Sequence, residues 1–345
     1  MAEEMRVITP RYQATLQPPV KGAVLVQASI SYHGLPVAIW SDAEGYARFF
    51  ERNENFPRVF VSEEADAIFA LHNADGTVRI ASAPVDLPVS VPDIQYLPDG
   101  TFLAVGARCR WSSDRHEATH NAYIYTVDGE LVRSGVLGDG IQDVQALSDG
   151  SIWTSYFDEG ILGNFGWDFG VRGEKSGEAE NLAIGFCGLC RWNSKLQAEW
   201  LYPDRHDVEP EFGEELARLT FIADCYAMNC TDEQTIICPY SDFPLVTITG
   251  DRITRIVDTR KEIPRLRGLA VSGNRVLAYG DYREPICAFA DMSDGYREIT
   301  RCQVQHADDA TLPYYPAGSR GSAIHFIDSL HRWFVLDVDE VWEEA

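Results

Sequence analysis

Basic residues are scarce in this chain. Lys and Arg total 29 of 345 residues against 53 Asp and Glu, giving a formal net charge of −24. A surface this acidic repels phosphate, so it argues against general nucleic-acid binding and against attachment to anionic membranes. Long apolar runs are missing as well. None approaches the roughly 18 residues that cross a bilayer. The start, Met1-Ala2-Glu3-Glu4-Met5-Arg6, has no basic segment followed by an apolar one, so no secretory leader is visible. These absences predict a soluble, cytoplasmic protein. Convincing helices are lacking too, and only Gly213–Leu219 reads as a short one. There is no GxSxG nucleophile elbow and no Gly-rich loop with Lys-Ser/Thr in P-loop spacing.

Cysteine is present but dispersed: eight residues over a long chain, unlike a small disulfide scaffold. Cys187 and Cys190 have CxxC spacing, and Cys225 and Cys230 form a second pair. Four thiolates can hold zinc. Zinc ribbons set each pair on a tight knuckle, however, and both stretches here read as strand. The expectation is buried thiols packed as small hydrophobes.

The feature that organises the chain is a repeat. Asp93-Ile94-Gln95-Tyr96-Leu97-Pro98-Asp99-Gly100-Thr101-Phe102-Leu103 aligns with Asp143-Val144-Gln145-Ala146-Leu147-Ser148-Asp149-Gly150-Ser151-Ile152-Trp153. Each copy is a strand, an Asp-Gly turn and a second strand, the chemistry of a β-hairpin. Weaker copies begin near Ala23, Asp224, Arg267 and Ala323. Further strand pairs lie between them, such as Ala122–Thr126 with Leu131–Arg133, and Leu245–Ile248 with Ile253–Ile256. Four strands per unit at a period of roughly 40–60 residues point to a β-propeller. One sheet cannot bury both its faces alone, whereas a ring of sheets can.

The predicted fold is therefore all-β, one six-bladed β-propeller over 1–345, with five or seven blades as alternatives. Approximate blades are 22–85, 92–138, 141–204, 215–258, 265–304 and 318–342. The last offers only two strands before the chain ends, so 5–16 is expected to supply outer strand material and close the ring.

The run from Gly138-Asp139-Gly140-Ile141 through Ile152-Trp153 resembles the repeats of NHL-type and two-component-regulator-type propellers. The whole chain resembles the six-bladed class that also holds gluconolactonase and paraoxonase-like hydrolases. The resemblance implies architecture. That class spans sensors, scaffolds, hydrolases and lyases, so one activity does not follow. The complete calcium-ligand pattern of the lactonases is not found.

In such propellers, hairpin starts and second-strand ends converge on one rim. The hairpin starts supply Asp93, Asp143, Asp224 and Arg267. The second-strand ends supply Tyr156, Asp158 and Glu159, then Tyr240 and Asp242, then Tyr282 and Arg283. Two long connections cover the same rim: Arg108 to Asn121, and Asp158 to Glu180 with Asn164 and Trp167. Long aromatic, Gly-rich loops on one side of a rigid scaffold are the usual place for recognition. The expected pocket is acidic and aromatic-rimmed. Asp143, Asp224 and Arg267 are its candidate catalytic groups, and Asp93, Asp143 and Asp224 its candidate ligands for Ca²⁺ or Mg²⁺. The competing role for each aspartate is capping of backbone N–H groups where the strands begin.

His116-Glu117-Ala118-Thr119-His120 matches HExxH, which binds zinc when a helix puts both imidazoles on one face. A short Ser- or Asp-capped helix is conceivable there, but no third ligand is evident, so a solvated loop is the plainer expectation. Two functions remain open. The first is a propeller that binds a small polar ligand or a protein partner through its loop-rich rim. The second is a metal-assisted hydrolase or lyase acting on a small polar substrate at the channel mouth.

Overall fold

The repeat folds as its turn chemistry dictates. Pro92–Tyr96 and Phe102–Gly106 pair antiparallel across Asp99-Gly100, and Ile141–Ala146 and Ile152–Tyr156 do the same across Asp149-Gly150. Gly100 and Gly150 sit at φ of 88° and 85°, a region costly to residues with a Cβ. Asp99 accepts from the Thr101 N–H at 3.1 Å, and Asp149 from the Ser151 N–H at 2.8 Å. The two hairpins are thus closed by the same Asx turn.

The computed structural model describes residues 5–53, 56–58, 60, 63–168, 180–260, 263, 266–280, 285–306 and 316–342. Its strands form the six four-stranded blades of an all-β, six-bladed β-propeller. Blade 1 runs Val24–Ile30, Pro36–Ser41, Ala65–His72, Val78–Ala81 from inside out. Blade 2 is Pro92–Tyr96, Phe102–Gly106, Ala122–Tyr125, Leu131–Gly135, and blade 3 is Ile141–Ala146, Ile152–Tyr156, Leu189–Trp192, Ala198–Leu201. Blade 4 is Ala227–Cys230, Thr235–Cys238, Leu245–Thr249, Arg252–Val257, and blade 5 is Leu266–Ser272, Arg275–Gly280, Ile286–Asp291, Arg297–Val304. Blade 6 is Gly318–Arg320, Ala323–Ile327, Arg332–Asp337, and its outer strand is Arg11–Thr15 from the N-terminus. N-terminal strand material therefore joins the C-terminal blade, as the repeat count requires.

Two details differ from the sequence reading. Ala323–Ile327 is the second strand of blade 6, not the first; the inner strand is the three-residue Gly318–Arg320. So short a strand, with Ser and Arg in place of an apolar alternation, gives no periodic signal. Only part of the N-terminal segment joins blade 6. Arg6–Ile8 instead pairs in parallel with Cys302–Val304, on the outer edge of blade 5.

The helices are short. Glu214–Ala217 and a following 3-10 turn, Arg218–Thr220, occupy the segment expected to be helical. Arg205–Phe212 was not expected. Asp204 and Asp207 close a capping box at its start, and Pro210 lies within it. No helix among the described residues is long and apolar enough to cross a membrane.

By packing, the chain divides into two units, Leu16–Tyr202 and Met1–Thr15 with Pro203–Ala345. The first holds blades 1 to 3. Phe69 and Phe102 pack with ring centroids 5.7 Å apart, Tyr125 closes on Phe69 at 5.6 Å, and all three are buried. The second holds blades 4 to 6. There Tyr279 meets Phe326 edge-on at 5.0 Å among Leu277, Phe289 and Leu336.

Polar side chains on the inner strands tie neighbouring blades together within each unit. In the first, the Gln95 amide oxygen of blade 2 accepts from Ala146 N of blade 3 at 3.2 Å. In the second, buried Asn229 of blade 4 donates to Leu269 O at 2.7 Å and Gly321 O at 2.8 Å, and accepts from Gly321 N at 2.8 Å. A buried amide with all its partners specifies one arrangement of the three inner strands.

Candidate functional site

In the first unit, connections that leave the second strands of blades 1, 2 and 3 meet. They build a layer with a core of its own. Cys109, Trp167 and Ala183 are buried together, and Trp111, Ala118, Ile184 and Phe186 pack against them. Trp111 and Trp167 have ring centroids 5.4 Å apart. The Trp167 indole N–H donates to Cys109 O at 3.0 Å, and Trp111 N donates to Phe165 O at 3.0 Å. Buried Asn121 secures the return into blade 2. It donates to Gly106 O and Gly138 O at 2.9 and 2.8 Å and accepts from Leu137 N at 2.9 Å.

Arg108 is the ionic centre of this layer. Its Nε and Nη2 donate to the two oxygens of Asp139 at 2.9 and 2.8 Å, and Nη1 donates to Glu159. Backbone contact brings the carboxylates there. A Cβ on Gly140 would lie 2.3 Å from Gly160 N, and one on Gly160 would lie 2.2 Å from Asp139 O. Only glycine lets the turn before blade 3 touch the short helix Asp158–Leu162, and that contact sets Asp139 and Glu159 on either side of the guanidinium. Burial pushes the Asp139 carboxyl up from the usual range, while Arg108 and the Cys109 N–H pull it down. Burial also pushes the Cys109 thiol up to about 12, so it stays protonated. The Arg108 guanidinium lies 4.4 Å from the centre of the Phe165 ring and 5.4 Å from that of Phe157.

Beside this centre is a cleft of about 460 Å³. Phe60 from blade 1, Val89 and Ser90 from the connection between blades 1 and 2, and Tyr123, His120 and Ser134 of blade 2 line it. His120 Nδ1 is 2.7 Å from Ser134 Oγ, and the Tyr123 hydroxyl donates to His120 O at 3.2 Å. Burial raises the Tyr123 phenol above its ordinary value. Arg110 stands at the edge: its guanidinium is 5.0 Å from the Phe60 ring centre and 5.5 Å from that of Phe165. Phe60 and Phe165 themselves meet edge-on at 5.4 Å.

The residues expected to form a site fall into several settings. Glu159 and Trp167 belong to the layer just described. Tyr156 lies beneath it, fully buried, with its hydroxyl donating to Leu137 O at 2.5 Å. Asn164 accepts from Phe165 N at 2.7 Å, which shapes the turn, and exposed Asp158 accepts from Glu159 N at 2.8 Å. Asp93 accepts from the Ser29 hydroxyl of blade 1 and from Ile94 N at 2.6 Å, and Asp143 accepts from the Gln145 amide at 2.9 Å. Asp93 thus meets a backbone N–H, whereas the Asp143 bond is to a side-chain amide.

The other expected residues lie in the second unit. Arg267 sits over the Tyr226 ring at 4.4 Å, and Tyr226 meets Tyr240 edge-on at 5.9 Å. Tyr240 N donates to Asp224 O at 2.9 Å, and half-buried Asp242 follows in the same turn. The structure thus brings Arg267 and Tyr240 together through Tyr226, which the sequence reading passed over. Tyr282 and Arg283 lie outside the described residues.

The metal expectations fit poorly. Among the described residues, no group of three or more His, Cys, Asp or Glu side chains is arranged to hold a metal ion; Asp93 and Asp143 belong to the first unit and Asp224 to the second. HExxH does not lie on a helix. Glu117–Ala118 pairs with Trp111–Ser112 as a β-ladder, and His116 turns the chain at φ 52°. His116 reaches Glu180 at 2.7 Å while His120 bonds Ser134, so the two imidazoles serve separate contacts. Cys187 and Cys190 are buried thiols with their sulfurs 3.3 Å apart.

The groups missed by sequence were Phe60, Arg108, Arg110, Tyr123 and Asp139. The one signal available was the Gly-Asp-Gly of 138–140, where flanking glycines announce a close backbone approach around an acid.

Comparison with known proteins adds the following. A profile of the YxzG family matches residues 209–331. No curated protein matches the sequence. Among solved structures, the chain is similar to a virginiamycin B lyase from Staphylococcus aureus at 13% identity and a TM-score of 0.48, over 93% of this chain and 82% of that one. It is also similar to a gluconolactonase from Xanthomonas campestris at 8% identity and a TM-score of 0.42, over 97% and 98% of the two chains. The Cps50 (Swd1) β-propeller domain of Myceliophteria thermophila matches at 7% identity and a TM-score of 0.42, over 95% and 99%. At such identities the likeness concerns fold.

Proposed function

We propose that this protein is a binding propeller whose working surface is the loop layer over blades 1 to 3, with a small ligand seated in the cleft between Phe60 and Ser134. The observation that carries the reading is the cost of the layer. Loops from blades 2 and 3 are held by the Arg108–carboxylate cluster, a shared aromatic core and a fully bonded asparagine, and Phe60 from the blade 1 connection packs on them, whereas the turns at Asp99-Gly100 and Asp149-Gly150 are minimal. Long connections fixed in one shape beside a concave, part-apolar surface suit recognition.

The test is a ligand-observed NMR screen of a fragment library, repeated on Ser134→Trp, which fills the cleft. Fragments that bind the wild type and are lost from a folded Ser134→Trp support the reading. Hits that survive this change, or a wild type with no hits, overturn it. The metal-assisted hydrolase or lyase has less behind it, because no group of three or more His, Cys, Asp or Glu among the described residues is arranged to hold a metal ion. Turnover that requires added Ca²⁺ or Mg²⁺ and is abolished by Asp143→Asn would reinstate it.

A further inference from the structure

The cleft carries a charge preference. Arg108 and Arg110 are separated by one residue, yet their settings differ. Arg108 is mostly buried and spent on Asp139 and Glu159. Arg110 is exposed, and among the described residues no carboxylate pairs with it. That is notable in a chain with a 24-charge excess of acid, where an accessible guanidinium readily finds a carboxylate. Its position is nonetheless fixed. The guanidinium rests on the Phe60 ring, which lines the cleft, and its backbone N–H donates to the hydroxyl of Thr119, another lining residue, at 2.8 Å.

Apart from Arg108, already paired with its two carboxylates, and the His120 imidazole, the wall is apolar or hydroxylic. The Phe60 and Tyr123 rings and Val89 offer flat apolar surface, while Ser90, Thr119 and Ser134 offer hydroxyls. Among the described residues, no Asp or Glu lines it. A guanidinium already stacked on an aromatic face is oriented for two-pronged bonding to a carboxylate, with little further entropy to lose.

We propose that the cleft selects a small organic anion, with a flat apolar body against Phe60 and Tyr123 and a carboxylate on Arg110. This rests on the cleft being the binding site and adds the class of ligand. The reading has no catalytic content; the ligand is held, not transformed.

Isothermal titration or chemical-shift titration of the whole protein with benzoate, benzamide and acetate tests it. Benzoate should bind at least tenfold more tightly than benzamide, which has the same shape without the charge, and than acetate, which has the charge without the ring. Arg110→Gln should erase the preference for benzoate over benzamide, Arg110→Lys should keep part of it, and Ser134→Trp should abolish binding of both. Equal binding of benzoate and benzamide, or a preference that survives in Arg110→Gln, overturns the anion assignment. If screen fragments bind the cleft while benzoate does not, this inference fails and the binding reading stands. If benzoate binds equally to Ser134→Trp, both fail.

Discussion

Asp139 receives two hydrogen bonds from the Arg108 guanidinium, at 2.9 and 2.8 Å, across 31 residues of sequence, in a setting that leaves its own side chain 2% exposed. A carboxylate so placed depends on its partner. Removing one member of a buried pair leaves an uncompensated charge, at a cost of about 3 kcal/mol. Arg108→Ala is therefore expected to lower the urea midpoint clearly. The double variant Arg108→Met, Asp139→Leu should recover most of the loss, since an apolar pair of similar volume avoids the desolvation. Equal losses in the single and double variants would show that the pair is not the cause.

A second expectation concerns acid. His325 is buried, accepts from the Trp333 indole N–H at 3.1 Å, and has its pKa lowered to about 3, chiefly by burial and then by Arg320. Its folded pKa lies below its unfolded value of 6.5, so its contribution to stability is complete above pH 6.5 and is lost as pH falls toward 3. The slope is about 1.4 kcal/mol per pH unit. Burial also lowers the pKa of His72, which adds to the same trend. Chemical denaturation at steps from pH 7 to pH 4 should show falling stability. His325→Gln should flatten the curve, and an unchanged slope would exclude this histidine as its source.

A third concerns the long connection of blade 3. Asp168 and Leu182 form a parallel β-bridge, with Asp168 N donating to Asn181 O at 2.8 Å and Ala183 N to Asp168 O at 3.0 Å. The backbone on both sides of residues 169–179 is thus already stapled. Replacing 169–179 by a short Gly-Ser linker is expected to leave melting within about two degrees of the wild type, because loop closure depends only weakly on length. A large loss of stability would show that this stretch supports the layer.

The cysteines give a fourth. All eight are buried, and burial raises the thiols of Cys238, Cys287 and Cys302. A thiol reagent at pH 8 should titrate few groups in the folded protein and eight after denaturation. Fewer than eight in denaturant without reductant would reveal a disulfide.

The sequence was legible where local chemistry repeats. Asp99-Gly100 and Asp149-Gly150 mark their hairpins because Asx turns and positive φ leave a residue signature, and the apolar strands beside them fix the blade period. It was illegible where structure is made by distant pairs. Nothing near Arg108 announces that Asp139 and Glu159 lie 31 and 51 residues ahead, and nothing near Arg110 announces Phe60. Asp93 and Asp143 drew attention as possible ligands because they recur. They recur because each lies near the start of the inner strand of a repeated hairpin, yet their polar contacts differ. HExxH is ambiguous for a related reason: its meaning depends on a helix, and the paired strands beside His116 forbid one.

The outer strand of blade 6 bears on how the molecule is made. Arg11 and the residue it salt-bridges, Glu340, stand 329 positions apart, and Arg11–Thr15 meets its ladder partner only at Arg332–Val335. On the ribosome Arg11–Thr15 must wait for Arg332–Val335, which is made far later. Until synthesis reaches that point, Arg11–Thr15 is a strand without its ladder partner and with a bare polar edge, the kind of surface that invites pairing with a stranger. Substitutions that weaken this seam should therefore show themselves as aggregation during expression before they show themselves as a lowered melting point.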